Sequence, residues 1–219
     1  MRVMRFLLPG ATVRGRLLAC LGAVLGIAGM AFACAMLPAD AAPLVVAPMG
    51  ASAVLLFAVP ASPLAQPWPM VGGNVVSALV GIAVVQLFGT GAAAAGVAVG
   101  AAILLMSLLR CLHPPGGAAA LTVVIGGPAV WDAGWRFALV PVGVNALALL
   151  LLGIAFHRAS GRSYPHRPEP MPEAKPYFRP EDLDVALEQA GEAFDISRED
   201  LEQLLRAAEA AGDRRRAGR

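Results

Sequence analysis

Long apolar stretches, separated by short connections rich in proline, glycine or polar residues, make up most of the first 156 residues. Six stretches contain no Asp, Glu, Lys or Arg, and they cover residues 17–37, 43–60, 71–89, 92–109, 111–130 and 137–156. A helix needs about 20 residues to cross a hydrocarbon layer about 30 Å thick. The first, third, fourth and sixth stretches are therefore predicted to be full transmembrane helices, with the fourth only just long enough.

The second and fifth stretches are interrupted by prolines. Pro48 lies inside the second, and Pro114-Pro115 lies near the start of the fifth. Because proline lacks an N–H group and is disfavoured inside a helix, uninterrupted helices are predicted only over 49–59 and 115–125. At 1.5 Å per residue each would be about 17 Å long, roughly half the membrane.

The two broken stretches belong to an internal repeat. The residues 48–54 superpose on 115–121, and each segment is followed by an apolar helix with one asparagine, Asn74 or Asn145. If the broken helices cross the membrane, the two copies must be inverted; if they re-enter, the copies are parallel. The sequence leaves both arrangements open.

Composition supports a membrane protein: 58% of the residues are hydrophobic and 15% are charged, with a mean hydropathy of +0.67. Four Lys and Arg lie in the basic segment 1–16, and eleven lie in 157–219. The positive-inside rule then predicts a multi-pass protein of the bacterial inner membrane with both termini in the cytoplasm. The net charge of +2 provides no field for nucleic acid.

The membrane domain is predicted to cover 17–158, and a soluble part follows it. Residues 159–180 contain six prolines and predict an extended linker. Residues 181–211 predict a cytoplasmic helical hairpin whose second helix starts at a capping box formed by Ser197 and Asp200. Residues 212–219 form a basic tail. The predicted fold is all-α: four full transmembrane helices, two half-length helices and the hairpin.

One segment combines charge, proline and glycine within membrane sequence: Arg110, His113, Pro114, Pro115, Gly116 and Gly117. Pro-Pro suits the first turn of a helix, where the amides of Gly116, Gly117 and Ala118 would face an anion. Arg110 would add a fixed positive charge and His113 a donor that titrates. The alternative is structural: a surface arginine and a tight turn between helices.

The other broken helix offers matching candidates at Gly50 and Ser52, which would lie across the path from Arg110 and His113. Asn74 and Asn145 are expected to form interhelical hydrogen bonds, with pore lining as a second role. The three cysteines lack metal-ligand or disulfide spacing, so no metal or other cofactor is expected. No set of nucleophile, base and oxyanion donors is present in the sequence, so no enzyme is predicted.

The motif His113-Pro114-Pro115-Gly116-Gly117-Ala118, together with Gly72-Gly73-Asn74 and the segment after Pro48, resembles the HPP family of integral membrane proteins. The resemblance covers most of 17–158. It implies four transmembrane helices, and it implies nitrite transport because some cyanobacterial and chloroplast members act as nitrite transporters.

The predicted function is transport of a small monovalent anion, with nitrite as the first candidate. The predicted partners are that anion and the lipid bilayer, and a homo-oligomer is possible. The alternative is a membrane module that transports nothing and anchors or senses through the hairpin 181–211.

Overall fold

A computed structural model describes residues 12–36, 45–167, 178–190 and 195–217. These residues form helices and connections, without a β-strand. The helices are α1 (Val13–Ala35), α2 (Pro48–Ala58), α3 (Asn74–Phe88), α4 (Ala92–Leu108), α5 (Pro114–Ile125), α6 (Pro128–Ala133), α7 (Val144–Ala159), α8 (Pro180–Ala190) and α9 (Arg198–Ala217). A 3₁₀ turn covers Pro63–Ala65, and π-helical turns at Pro69–Gly73 and Ala138–Gly143 lead directly into α3 and α7.

Three helical stretches of the described chain are long and apolar enough to cross a membrane: Val13–Ala35, Pro69–Phe88 and Ala138–Ala159. The prediction of four full spans is therefore confirmed for three of them only. Helix α4 has 17 residues, because Gly89 and Gly91 adopt positive φ before it and the chain turns at Arg110 after it.

The two half-length helices are confirmed. Helix α2 has 11 residues and α5 has 12, and each begins at a proline, Pro48 or Pro114. Proline fits this first position because its φ is already helical and its missing N–H would have no partner inside the helix. Both boundaries lie within one residue of the prediction.

Packing contacts define the directions of the six main helices. Phe57, at the end of α2, packs on Gly22 and Gly26 near the middle of α1, so α2 runs back along α1. Gly22 also packs against Phe156 near the end of α7. Trp68 Nε1 donates to the carbonyl of Leu109 at 3.1 Å, which places the start of the third helix beside the end of α4.

Helix α5 runs parallel to α3, because its start lies against Gly73 and its middle lies against Gly81. The helices α1, α3 and α5 therefore begin at the end of the bundle where α2, α4 and α7 finish. Successive helices alternate in direction, so the copy α1–α2–α3 and the copy α4–α5–α7 run in opposite senses. This is the inverted arrangement of the two that the sequence left open.

The interior is divided into two apolar clusters that share α3. Ala78 and Ile82 of α3 belong to a cluster with α1, α2 and α7. Val80 and Val84, on its other side, belong to a cluster with α4 and α5. Helix α3 is therefore the central element of the bundle. The half-length helix α2 shares the first cluster with it, and the half-length helix α5 shares the second.

The chain after α7 differs from the extended linker predicted over 159–180. Residues 160–167 fold back on the bundle: Tyr164 is buried and its hydroxyl donates to the carbonyl of Ala65 at 2.8 Å. The backbone N–H of His166 donates to Gln66 Oε1 at 3.0 Å. Tyr164 combines an apolar ring, which can be buried, with a hydroxyl that can form a hydrogen bond. The linker prediction rested on the number of prolines and did not take this residue into account. Residues 168–177 lie outside the described chain.

Helices α8 and α9 correspond to the helical hairpin predicted over 181–211. Arg198 at the start of α9 binds both oxygens of Asp184 in α8, at 2.6 and 2.9 Å. The predicted capping box is observed, since the N–H of Asp200 donates to Ser197 Oγ at 3.0 Å. Helix α9 extends to Ala217, so the first part of the predicted basic tail 212–219 is helical. Residues 191–194, which include the predicted cap Gly191, are outside the described chain.

The contact between α3 and α5 is close enough to test by a single methyl group. A Cβ at Gly81 would lie 2.7 Å from the carbonyl oxygen of Ala120, whereas a Cβ at Gly96 in α4 would meet nothing within 4 Å. We expect Gly81→Ala to lower the free energy of unfolding in detergent by about 1–3 kcal/mol through overpacking. Gly96→Ala, the matched control, should leave it unchanged or raise it, because alanine favours helix. Equal stability of the two variants would contradict the close α3–α5 contact.

The start of α9 should loosen in acid. Burial raises the pKa of the Asp200 carboxyl, but hydrogen bonds from Ser197 and His166 and the charge of His166 outweigh burial and leave the pKa below its ordinary value. The ionised carboxylate therefore contributes stability above the ordinary aspartate pKa of about 3.9, and this is lost as pH falls through the lowered value. We expect faster hydrogen exchange at 198–202, corrected for intrinsic rate, below about pH 4.

The matched control for this pH dependence is Glu181→Gln, at an exposed position in the first turn of α8. That variant should keep the wild-type acid profile, whereas Asp200→Asn should exchange fast at every pH. An unchanged profile in Asp200→Asn would show that another group causes the loss.

Candidate functional site

His113 lies at the junction of α2, the Pro63–Ala65 turn, α3 and α5, and it is fully buried. It caps α5 in an extended conformation, with φ −141° and ψ 108°. The following proline imposes this conformation, because its ring disfavours helical geometry in the preceding residue. The Pro-Pro pair therefore both starts α5 and turns the imidazole out of the helix path.

Both ring nitrogens of His113 are hydrogen bonded. Nδ1 lies 2.8 Å from the carbonyl oxygen of Leu64, and Nε2 lies 2.9 Å from Ser52 Oγ. A carbonyl can only accept, so Nδ1 carries the hydrogen. In the neutral ring Nε2 is then an acceptor, and Ser52 must donate its hydroxyl hydrogen to it.

Asn74 extends this chain of hydrogen bonds. Its Nδ2 donates to Ser52 Oγ at 3.2 Å and to the carbonyl of Met70 at 2.8 Å. The order is thus Asn74 to Ser52 to His113 to the carbonyl of Leu64, with every donor pointing the same way along the chain. We call Ser52, Asn74, Ser77 and His113 the His113 cluster; all four side chains are fully buried.

Two polar atoms of the His113 cluster have no hydrogen-bond partner among the residues that the structure describes: Asn74 Oδ1 and Ser77 Oγ. Ser77 lies against the start of α5, where a Cβ on Gly116 would be 2.6 Å from its Oγ. A buried polar atom without a partner costs about 1–3 kcal/mol. Such atoms in a native protein call for an explanation, and a ligand that donates or accepts hydrogen bonds there is one.

Arg110 does not join the His113 cluster. It has a positive φ of 53° at the turn after α4 and its side chain is exposed. Arg110 and His113, predicted to lie together on one side of an anion path, are therefore separated, because the turn between them directs the two side chains to different environments. Arg110 lies at the end of the bundle where α4 finishes.

The start of α5 also offers fewer free amides than predicted. Pro114 and Pro115 have no N–H, and the N–H of Gly116 donates to the carbonyl of His113 at 2.8 Å. Gly116 is buried against α3, and Gly117 is half-buried near Val99. Gly116 therefore serves close helix packing, and the buried side chains of the cluster supply the polar groups of the site.

The remaining candidates lie apart from the cluster. Gly50, in the same helix as Ser52, faces open space. Asn145 donates to the carbonyl of Pro141 at 2.9 Å and lies 3.8 Å from Cys34 Sγ. Asn74 and Asn145 each bond a carbonyl four residues back at a π-helical turn, which repeats one local structure in both copies. Interhelical hydrogen bonding, the first role expected of Asn145, fits these contacts.

Sequence reasoning missed Ser77, Leu64 and His157. Ser77 follows Asn74 by three residues, so helical periodicity could have placed both on one face. Leu64 acts through its carbonyl, which no side-chain motif reports. His157 is buried and its Nε2 donates to the carbonyl of Leu56 at 2.8 Å, which anchors α7 on α2.

The turn that carries the Leu64 carbonyl is held from its outer side. Ser62 Oγ donates to Asp195 Oδ1 of the hairpin at 2.6 Å, and Tyr164 binds the carbonyl of Ala65. Gln66 Nε2 donates to the carbonyls of Pro60 and Ser62 at 3.0 and 2.8 Å. The hairpin and the chain after α7 therefore position an acceptor of His113.

Comparison with known proteins places the chain in context. Residues 8–165 match the model of a family described as HPP, transmembrane region. Two transmembrane proteins of Dictyostelium discoideum are similar to it over 120 residues. One is 42% identical, covering 52% of this chain and 42% of the relative. The other is 41% identical, covering 52% and 38%. The chain thus spans less than half the length of these curated relatives, and no solved structure matches it.

Proposed function

The chain belongs to the HPP transmembrane family, and from that premise we propose that its membrane domain transports a small monovalent anion, with nitrite as the first candidate. The observation that carries the proposal is the His113 cluster: four fully buried polar side chains inside an apolar bundle, two of them with an unpaired polar atom. Burying an ionisable group such as His113 inside an apolar helical bundle is costly, and in membrane proteins such groups often mark substrate pathways.

The packing around the cluster favours a small substrate. Gly73 packs directly on the Cβ of His113, and Gly116 packs on Ser77 and on the backbone of Gly73. Side chains larger than hydrogen would fill these contacts. An ion of a few atoms, held by hydroxyl and amide hydrogens, suits such close packing better than an organic solute.

Arg110 has a different role in this proposal from the one predicted from sequence. Its exposed side chain lies where α4 ends, at the same end of the bundle as the Leu64 turn. A positive charge there raises the local concentration of anions at the entrance. The anion would meet Arg110 before it reaches Ser52 and Ser77.

A sensor acting through the hairpin is the second candidate function. It is favoured by the hydrogen bond between Ser62 and Asp195, which joins the hairpin to the turn beside His113. A cleft of about 430 Å³ lies between residues 58–62 and the hairpin, lined in part by Ile196 and Asp200. A sensor would bind its signal in this cleft without moving an anion across the membrane.

We propose that the start of α1 and the end of α7 both face the cytoplasm of a bacterial cell. The arginines that flank α1 and α7 support this orientation, and Arg162 Nη2 donates to the carbonyl of Gly15 at 3.4 Å. With Cys20, Cys34 and Cys111 replaced by alanine, single cysteines at positions 14 and 160 should both react with a membrane-impermeant reagent only after access from the cytoplasmic side. A cysteine at position 90, in the α3–α4 turn, should react from the opposite side. Positions 14 and 160 reacting from opposite sides would contradict the topology.

Flux measurements with two serine variants test the transport proposal. Ser52 Oγ is central to the cluster, whereas Ser107 Oγ donates at 2.8 Å to the carbonyl of Ile103 on its own helix and is exposed. Losing a hydrogen bond in the buried cluster should cost about 1–3 kcal/mol. Nitrite flux into proteoliposomes should therefore fall about tenfold or more in Ser52→Ala and stay unchanged in the control Ser107→Ala.

Equal amounts of folded protein in the membrane, verified by size-exclusion profile, are required for this comparison. Wild-type flux no greater than that of protein-free liposomes would contradict transport of nitrite and favour the sensor. Equal flux in both serine variants would exclude Ser52 from the path.

A further inference from the structure

The His113 cluster contains one titratable side chain and no fixed charge among the described residues. Helix α2, the Pro63–Ala65 turn and α3 contribute no titratable side chain at all. The connection from α4 contributes the buried thiol Cys111 and the exposed Arg110. On the outer side of the turn, Tyr164 binds the carbonyl of Ala65, and His166 pairs with Asp200; neither faces His113.

An anion that entered this cluster alone would therefore have no positive partner. Removing an ion from water without a compensating charge is strongly unfavourable, and hydroxyl or amide donors recover only part of that cost. A proton that arrives with the anion would neutralise it. His113 is the described side chain in the cluster that can hold this proton.

We propose that the cluster takes up the anion together with one proton, held on His113 Nε2, so that transport is electroneutral. This inference rests on the proposed transport function and adds its stoichiometry. The proton comes from the water at the side where the anion enters. It leaves with the anion at the other side, and the imidazole returns to its neutral form.

The hydrogen-bond geometry links the proton to anion binding. In the neutral ring, Ser52 donates to Nε2 and accepts from Asn74. When Nε2 is protonated it must donate, so Ser52 Oγ accepts from both His113 and Asn74, at the observed 2.9 and 3.2 Å. The hydroxyl hydrogen of Ser52 then no longer points to His113 and is free to be donated to the anion. Protonation thus supplies a positive charge and a free hydroxyl donor at the same time.

Ser77 provides a second donor on α3, three residues after Asn74 and therefore about one helical turn away. Its Oγ is fully buried, unpaired and in contact with the start of α5. A hydroxyl in that state can donate to an anion without breaking an existing bond. The Nδ1–H of His113 stays on the Leu64 carbonyl throughout, so the ring need not rotate when Nε2 gains or loses its proton.

The experiment uses the full chain in proteoliposomes with an enclosed pH-sensitive dye, an external nitrite pulse near neutral pH and a potential set by a potassium gradient with valinomycin. A potential of about 59 mV changes the equilibrium distribution of a singly charged ion about tenfold. We expect nitrite accumulation to change by less than about twofold across such a potential. We also expect internal acidification to accompany uptake, after subtraction of the leak in protein-free liposomes.

A His113→Gln variant tests the assigned atom, because glutamine can donate to the Leu64 carbonyl but cannot carry the proton. It should lose the nitrite-dependent acidification, whereas the control Ser107→Ala should retain it. Acidification in His113→Gln equal to that of the wild type would overturn the role of His113. If this variant fails to fold, the wild-type potential measurement still decides the stoichiometry.

The possible failures are distinguishable. Wild-type uptake that follows the potential tenfold, without acidification, would overturn proton coupling and leave anion transport intact. Uptake no greater than in protein-free liposomes would overturn the proposed function, and the inference with it.

Discussion

The hydrogen bond from His113 Nδ1 to the carbonyl of Leu64 is the interaction on which the centre of this bundle depends. It joins the start of α5 to the turn that follows α2, two segments 49 positions apart in the chain. Because the carbonyl can only accept, this one bond assigns the ring hydrogen, and the assignment then determines the roles of Ser52 and Asn74. This polar connection joins the start of one half-length helix to the turn after the other and adds to the packing of α5 on α3.

Glycine makes that connection geometrically possible. The Cβ of His113 and the backbone of Cys111 lie so close to Gly73 that an added Cβ would be 2.6 Å from both. The same relation recurs between Gly116 and Ser77 and between Gly81 and Ala120. In a membrane there is no hydrophobic force between helices, and close backbone approach through small residues replaces it. The parallel pair α3 and α5 thus forms a tight seam along which the polar cluster lies.

The helical hairpin formed by α8 and α9 contacts the same turn. Asp195 accepts from Ser62, and Ser62 Oγ also accepts from the N–H of Leu64 at 3.1 Å. Two hydrogen bonds and one turn therefore connect the hairpin to the carbonyl that accepts from His113. The chain after α7 also contacts this turn, through Tyr164 and His166. The sequence did not predict these contacts, because the proline-rich composition of 159–180 is typical of a linker.

The sequence by itself determined the membrane character of the bundle, the two half-length helices, the repeat and the capping box of α9. Proline chemistry, uncharged length and the Ser197–Asp200 spacing are local properties, and local properties can be read in order along a chain. The composition of the site was only partly accessible in this way: His113, Ser52 and Asn74 were identified separately, whereas their connection was not. Arg110 was assigned to the site because it is three positions from His113, but a turn with positive φ separates an exposed side chain from a buried one. The tertiary structure decided which groups meet, because the carbonyl of Leu64 has no sequence signature and nothing in the sequence places Ser52, a residue of a distant segment, next to His113.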